Sequence, residues 1–84
     1  MAKYFDEQKF NNFNNLFGKY LRAVRKSKKL PLEFVASYIG ISRSSLSKYE
    51  KDIGNTPITI LIKLVLLYDI DLDLIKERFD KRNM

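Results

Sequence analysis

The 84-residue chain contains no cysteine and no histidine. Without cysteine it has neither a disulfide framework nor a thiolate metal site. Without histidine it lacks the commonest general base and the commonest metal ligand. Its carboxylates are scattered singly, so no paired acid/base site is evident. We therefore predict a protein that is not an enzyme and that carries no cofactor and no metal.

Long apolar runs are also missing from the chain. The most apolar segment, residues 58–67, is interrupted by Lys63 and reaches only about half of a membrane span. The first ten residues are charged and contain no apolar segment of the length that a secretory signal requires. We therefore expect a soluble, cytoplasmic protein without a membrane association.

Positive charge is what the chain has in excess. Sixteen lysines and arginines stand against ten acidic residues, which gives a formal net charge of +6. Such an excess favours a polyanionic partner, although many small soluble domains are basic without binding one. The length allows one domain, and a hydrophobic content of 45% is that of a folded protein.

A first helix is predicted over residues 7–27, because aromatic and apolar residues recur there every three or four positions. These residues are Phe10, Phe13, Phe17, Tyr20 and Val24. Gly18 and the asparagine pairs weaken the helix. An N-terminal arm followed by a helix from Asn14 is therefore the alternative.

Two short helices with a tight turn between them follow the basic segment 22–29. The first begins after Pro31, and Gly40 is expected to end it as a left-handed C-cap. Ser42 is a suitable N-cap for the next helix, which is predicted over residues 43–51 and has few apolar residues.

The C-terminal third predicts two more helices. Thr56 is expected to cap a fourth helix with Pro57 at its first position and its end near Tyr68. Alternating isoleucines at its start also fit a strand, but the length of the apolar run favours a helix. A last short helix is predicted over residues 72–79.

The segment 32–50 has the layout of a helix-turn-helix, whose second helix enters the DNA major groove amino end first. Ala36 is small where the two helices are expected to cross, and Ile41 and Leu46 are expected to fill the space between them.

At these residues the chain resembles the Cro/C1-type (XRE) helix-turn-helix family of repressors over about residues 17–75. The matching segments are 21–25, 33–36, 40–50, 61–64 and 70–73. The resemblance implies an all-α fold, a compact five-helix bundle of the lambda-repressor-like DNA-binding type. Here it would carry an N-terminal aromatic extension over residues 1–13, a DNA-binding domain over 14–80 and a frayed tail over 81–84.

The same resemblance implies roles for individual residues. Base contacts fall to Arg43, Ser44, Ser47 and Lys48, and an arginine with no evident intramolecular partner, as Arg43 is here, suits a bidentate guanine contact. Phosphate contacts fall to Ser42, Ser45 and Lys51. In the family an arginine late in the first helix pairs with a glutamate that ends the third, so Arg25 and Glu50 are expected to form a structural brace.

The chain departs from the family pattern at the start of the second helix. Pro31 and Leu32 stand where the family has a capping threonine or serine and a phosphate-binding glutamine. We expect Lys28 or Lys29 to supply the missing phosphate contact. Asp52 also stands where the family often has glycine.

The fourth helix is apolar on nearly every side, so it is either fully buried or faces a partner. We predict a two-fold homodimer through the last two helices, or through the N-terminal aromatic arm. The predicted interface residues are Leu66, Tyr68, Leu72, Leu74, Ile75 and Phe79.

The sequence thus predicts a sequence-specific double-stranded DNA-binding transcriptional regulator, expected to be a repressor that binds a palindromic operator as a homodimer. The alternative is a protein-interaction module, such as an antitoxin or antirepressor. Such a module would use the Phe-rich arm or the apolar fourth helix to bind another protein.

Overall fold

The computed structural model describes residues 6–73 and 77, and this part of the chain is all-helical. In chain order it contains α1 (Glu7–Ser27), α2 (Leu32–Ile39), α3 (Arg43–Tyr49), a 3-10 helix (Ile53–Asn55) and α4 (Ile58–Tyr68). The described residues thus contain four α-helices where five were predicted. Most of the predicted fifth helix lies outside them, although Leu72, Asp73 and Glu77 have helical backbone.

A single uninterrupted helix forms α1, so residues 7–13 extend it and the alternative of a separate arm is wrong. Asp6 caps its start, because its carboxylate accepts a hydrogen bond from the backbone N–H of Lys9 at 3.0 Å. Basic residues occupy its last turn, where cations suit the negative end of the helix dipole.

The buried face of α1 differs from the aromatic stripe that the sequence predicted. Its buried residues are Asn14, Phe17, Gly18, Leu21 and Arg25, while Phe10 is exposed. Gly18 explains the shift, because a Cβ at this position would lie 2.9 Å from the carbonyl oxygen of Tyr49. The helix therefore approaches the segment after α3 through its backbone, which aromatic side chains would prevent.

The turn between α2 and α3 is built as predicted. Gly40 has a φ of +86°, in the left-handed region, and its N–H donates to the carbonyl of Ala36 at 3.0 Å. Ala36 and Leu46 are buried between the two helices and Ile41 is half-buried. The helix-turn-helix is therefore held by a small residue at the crossing and a leucine in the core.

The start of α4 corrects the prediction at Thr56. The backbone N–H of Thr56 donates to Ile53 at 2.9 Å, so Thr56 ends the 3-10 helix instead of capping α4. Pro57 is extended, and α4 begins one residue later, at Ile58, without a side-chain cap. The ammonium of Lys63 donates to the carbonyl oxygen of Ile39 at 3.2 Å, which ties α4 to the end of α2.

All four α-helices and the 3-10 helix contribute to one core. Its buried apolar residues are Phe17, Leu21, Val35, Ala36, Ile39, Leu46, Ile53, Leu64 and Tyr68. Because Tyr68 is only 2% exposed, it belongs to the protomer core, and its predicted place in a dimer interface is corrected. No helix in the described part of the chain is long and apolar enough to cross a membrane.

Candidate nucleic-acid interface

A shallow surface cleft of about 730 Å³ runs along the exposed face of α3. Six of its seven lining residues were predicted to contact DNA, and the seventh is Leu32 at the start of α2. The six are Ser42, Arg43, Ser44, Ser47, Lys48 and Lys51. The structure therefore brings the four predicted base readers together with two of the predicted phosphate contacts on one face.

Ser42 organises the start of α3. Its hydroxyl accepts a hydrogen bond from the backbone N–H of Ser45 at 3.1 Å, which confirms the predicted N-cap. The same oxygen lies 2.8 Å from the hydroxyl of Ser45 and 3.3 Å from that of Ser44. The hydroxyl of Ser42 is thus engaged by its own helix, while Arg43 and Lys48 project from the exposed face.

Three of the predicted phosphate contacts lie away from this cleft. Ser45 is half-buried and lines a second cleft of about 670 Å³ with Lys48 and residues of α1, including Phe10 and Asn11. Lys28 and Lys29 are exposed in the turn between α1 and α2. Lys29 has a φ of +57°, in the left-handed region.

Arg25 and Glu50 form a buried bidentate ion pair. Nε of Arg25 donates to Glu50 at 2.7 Å and Nη2 donates to the other carboxylate oxygen at 3.1 Å. Nη1 donates to the carbonyl oxygen of Leu30 at 2.8 Å. One guanidinium therefore joins α1, the turn before α2 and the C-cap of α3, so the brace expected from the family resemblance is present in the structure.

The environment of this pair shifts two pKa values. The hydrogen bond to the Glu50 carboxylate raises the pKa of Arg25 above its ordinary value. Burial raises the pKa of the nearby Tyr68 hydroxyl to about 12, and the charge of Glu50 adds to this rise. At neutral pH the Arg25 guanidinium is therefore charged and the Tyr68 phenol is neutral.

The segment that follows α3 is also held against α1. Nδ2 of Asn15 donates to the carbonyl oxygen of Lys51 at 3.1 Å, close to where Gly18 approaches the backbone. Asp52, in place of the family's glycine, is extended and accepts from the N–H of Gly54 at 2.6 Å. The position does not require glycine here, because its backbone is not left-handed.

Sequence reasoning missed the partner of Arg43. Nη1 of Arg43 donates to the carboxylate of Glu33 at 2.8 Å, although no intramolecular partner was expected. Glu33 lies on the exposed face of α2, ten residues earlier in the chain. The signal that predicts this contact is the helix-turn-helix itself, since the turn brings the starts of both helices to one surface.

The start of α2 lacks the capping hydroxyl that the family has at this position. Pro31 occupies the N-cap position and makes no side-chain hydrogen bond to the helix. Leu32 lines the cleft in the place where the family has glutamine, so it presents an aliphatic side chain beside Arg43.

The predicted dimer surface is described only in part. Leu66 and Leu72 are exposed, whereas Leu74, Ile75 and Phe79 lie outside the described residues. Ile58 and Ile62 are also exposed and precede Leu66 at steps of four, so the three form one apolar stripe on α4. Within the described residues, no group of three or more acidic residues is placed to hold a metal ion.

Comparison with known proteins agrees with this architecture. The helix-turn-helix family matches residues 21–75, more than half of the chain. A relative is the "Uncharacterized HTH-type transcriptional regulator YobD" of Bacillus subtilis (strain 168), which is 38% identical over 60 residues, covering 71% of this chain and 54% of the relative. The chain thus spans about half the length of this relative. No solved structure gives a significant match. The chain belongs to the XRE type of the helix-turn-helix family.

Proposed function

We propose that this protein binds double-stranded DNA sequence-specifically and regulates transcription by inserting α3 into the major groove. The observation that carries this proposal is the cleft along α3, where Arg43, Lys48 and Lys51 lie with three serines on one exposed face. Proteins of this class place the first residues of the second helix against base edges. The net charge of +6 favours attraction to the phosphate backbone.

The residues divide into two roles under this proposal. Arg43, at the first position of α3, meets a guanine, and Ser44, Ser47 and Lys48 meet neighbouring base edges. Lys51, with Ser42 and Ser45, contacts phosphates and so fixes the position of α3 without reading sequence. Lys28 and Lys29, exposed before α2, supply the phosphate contact that the glutamine supplies elsewhere in the family.

We further propose that the protein acts in the cytoplasm as a repressor and binds as a homodimer to a palindromic operator. A two-fold axis would set two copies of α3 about one DNA turn apart, which matches the spacing of half-sites in this class. The exposed apolar stripe of Ile58, Ile62 and Leu66 supports a partner surface on α4.

DNA binding is tested with duplexes selected from random-sequence DNA, whose affinity is measured over a series of salt concentrations. We expect affinity to fall steeply as salt rises, because phosphate contacts release condensed counterions. Arg43→Ala should cost about 1–3 kcal/mol on the selected duplex and relax the preference at one base pair. Lys51→Ala is the matched control, since it should weaken all duplexes about equally and reduce the salt slope by about one.

Two results would contradict this scheme. A wild-type protein that selects no sequence and shows no dependence on salt is not a DNA-binding regulator. If Arg43→Ala leaves the affinity and the base preference intact while wild type binds, α3 does not present Arg43 to a base.

The dimer is tested by sedimentation at micromolar protein concentration. We expect the mass of a dimer for wild type and of a monomer for Leu66→Asp, because Leu66 is 74% exposed and the substitution removes no core contact. Asn12→Asp is the control, since it adds the same charge at an exposed position on α1, outside α4. A monomeric wild type would refute self-association through α4.

The second candidate is a protein-interaction module of the antitoxin or antirepressor kind. The same α4 stripe favours it, since an exposed apolar surface can bind another protein as well as a second copy. A wild type that is monomeric and indifferent to DNA would favour this candidate over the regulator.

A further inference from the structure

The carboxylate of Glu33 lies beside the residue that is best suited to read a base. It accepts a hydrogen bond from Nη1 of Arg43 at 2.8 Å, and the two side chains are 72% and 67% exposed. An exposed ion pair contributes little to folding stability, because water solvates both charges when the pair is broken. Stability therefore does not account for a negative charge on a face that is otherwise cationic.

Resting on the proposed function, we infer that Glu33 is a positioning residue that orients the Arg43 guanidinium and thereby sets its preference for guanine. Arginine carries five N–H donors on a rigid plane at the end of a flexible stem. The bond from Nη1 to Glu33 restrains that plane and leaves the donors that a bidentate contact to guanine O6 and N7 needs. Pre-orientation lowers the entropy that Arg43 loses when it meets the base.

The two residues are placed by separate, well-held elements. Glu33 precedes Val35 and Ala36, which are buried and fix α2 in the core. Arg43 directly follows Ser42, the N-cap of α3. The ion pair therefore joins the two helices of the motif. Because α2 and α3 are fixed, the pair restrains the guanidinium of Arg43.

Glu33 has a second, opposite effect on binding. Its negative charge repels phosphates, so it lowers the affinity for every duplex whatever the sequence. When DNA excludes water from the surface, the ion pair is screened less and its hold on Arg43 becomes stronger. Removing the charge should therefore raise the affinity for every duplex and lower the discrimination between bases. The loss of a negative charge that does not orient Arg43 would change the affinity alone.

The test compares wild type, Glu33→Gln, Arg43→Ala and the double variant. Affinity is measured for the selected duplex, for duplexes changed at the base pair that Arg43→Ala relaxes, and for random-sequence DNA. For Glu33→Gln we expect discrimination at that base pair to fall about tenfold, a coupling of about 1.4 kcal/mol, with tighter binding to random DNA. In the Arg43→Ala background the same substitution should leave discrimination unchanged.

Asp69→Asn is the matched control. It changes the net charge by the same amount at the exposed C-cap of α4, where the left-handed backbone, with φ of +54°, accepts asparagine. It should change affinity for random DNA at most and leave discrimination as in wild type. Thermal melting should give the wild-type midpoint for Glu33→Gln, since the residue is exposed.

Two results would overturn the inference. The first is full discrimination by Glu33→Gln, and the second is a loss of discrimination that persists after Arg43 is removed. A failure of the proposed function is distinguishable from both, because wild type itself would then select no duplex.

Discussion

Glu50→Gln is expected to lower the free energy of unfolding by about 3 kcal/mol, at the lower end of what breaking a buried ion pair costs. Glutamine keeps the shape and one acceptor oxygen, but it leaves the Arg25 guanidinium as an uncompensated charge. Arg25 is 8% exposed and Glu50 is 4% exposed, so solvent cannot replace the lost partner. Chemical denaturation of the variant and of wild type at pH 7 measures the difference.

The chain provides its own control for this experiment. Glu33→Gln makes the same chemical change in the exposed pair with Arg43, and it should cost less than about 1 kcal/mol. Equal losses for the two variants would show that burial of the Arg25–Glu50 pair is not what stabilises it.

A double variant separates the effect of the Arg25–Glu50 pair on DNA binding from its net contribution to stability. Replacing both Arg25 and Glu50 with apolar residues of similar volume should restore much of the stability that Glu50→Gln loses, because no charge is then left buried. DNA affinity should not recover to the same extent, since Glu50 is the C-cap of α3 and its two hydrogen bonds from Arg25 hold that end of the helix against α1. If stability and DNA affinity recover together in the double variant, the pair contributes to stability alone.

Alkaline pH is expected to destabilise the protein because the buried hydroxyl of Tyr68 is deprotonated. Its pKa is raised to about 12 in the folded protein, against an ordinary value of 10.0. A group whose folded pKa is raised contributes stability that is complete below pH 10 and is lost as pH rises through 12. The difference corresponds to roughly 3 kcal/mol of unfolding free energy.

Tyr68→Phe isolates this contribution. The Tyr68 hydroxyl is buried and has no hydrogen-bond partner among the described residues, so its removal should leave stability near neutral pH within about 1 kcal/mol of wild type. Between pH 10 and 12 the variant should lose less stability than wild type. Denaturant midpoints at a series of alkaline pH values measure both curves, and parallel curves would contradict the raised pKa.

Much of the fold follows from short-range patterns. The bounds of α1, the left-handed cap at Gly40 and the N-cap at Ser42 are as predicted. Each depends on a few neighbouring residues, since helical periodicity and capping operate within one or two turns. Thr56 shows the limit of such patterns, because a competing 3-10 turn engages its backbone and α4 starts without a side-chain cap.

The sequence predicted which residues form the candidate site better than it predicted the contacts between them. The DNA-facing residues of the cleft and the Arg25–Glu50 pair were both expected from the family resemblance. The contact between Glu33 and Arg43 depends on how closely two helix starts approach across a turn. The helix-turn-helix layout brings the two starts to one surface, but the distance between them is a property of the crossing of α2 and α3, which local periodicity and capping do not determine.

By itself, the sequence determined a helical fold with a basic third helix capped at Ser42, because cap residues and helical period are local. Only the tertiary structure decided which side of each helix is covered. It placed Asn14 and Gly18 against the segment after α3, and it placed Tyr68 in the core. Burial is settled by the closest approach of backbones and by the space that remains for side chains, and both depend on all the helices together.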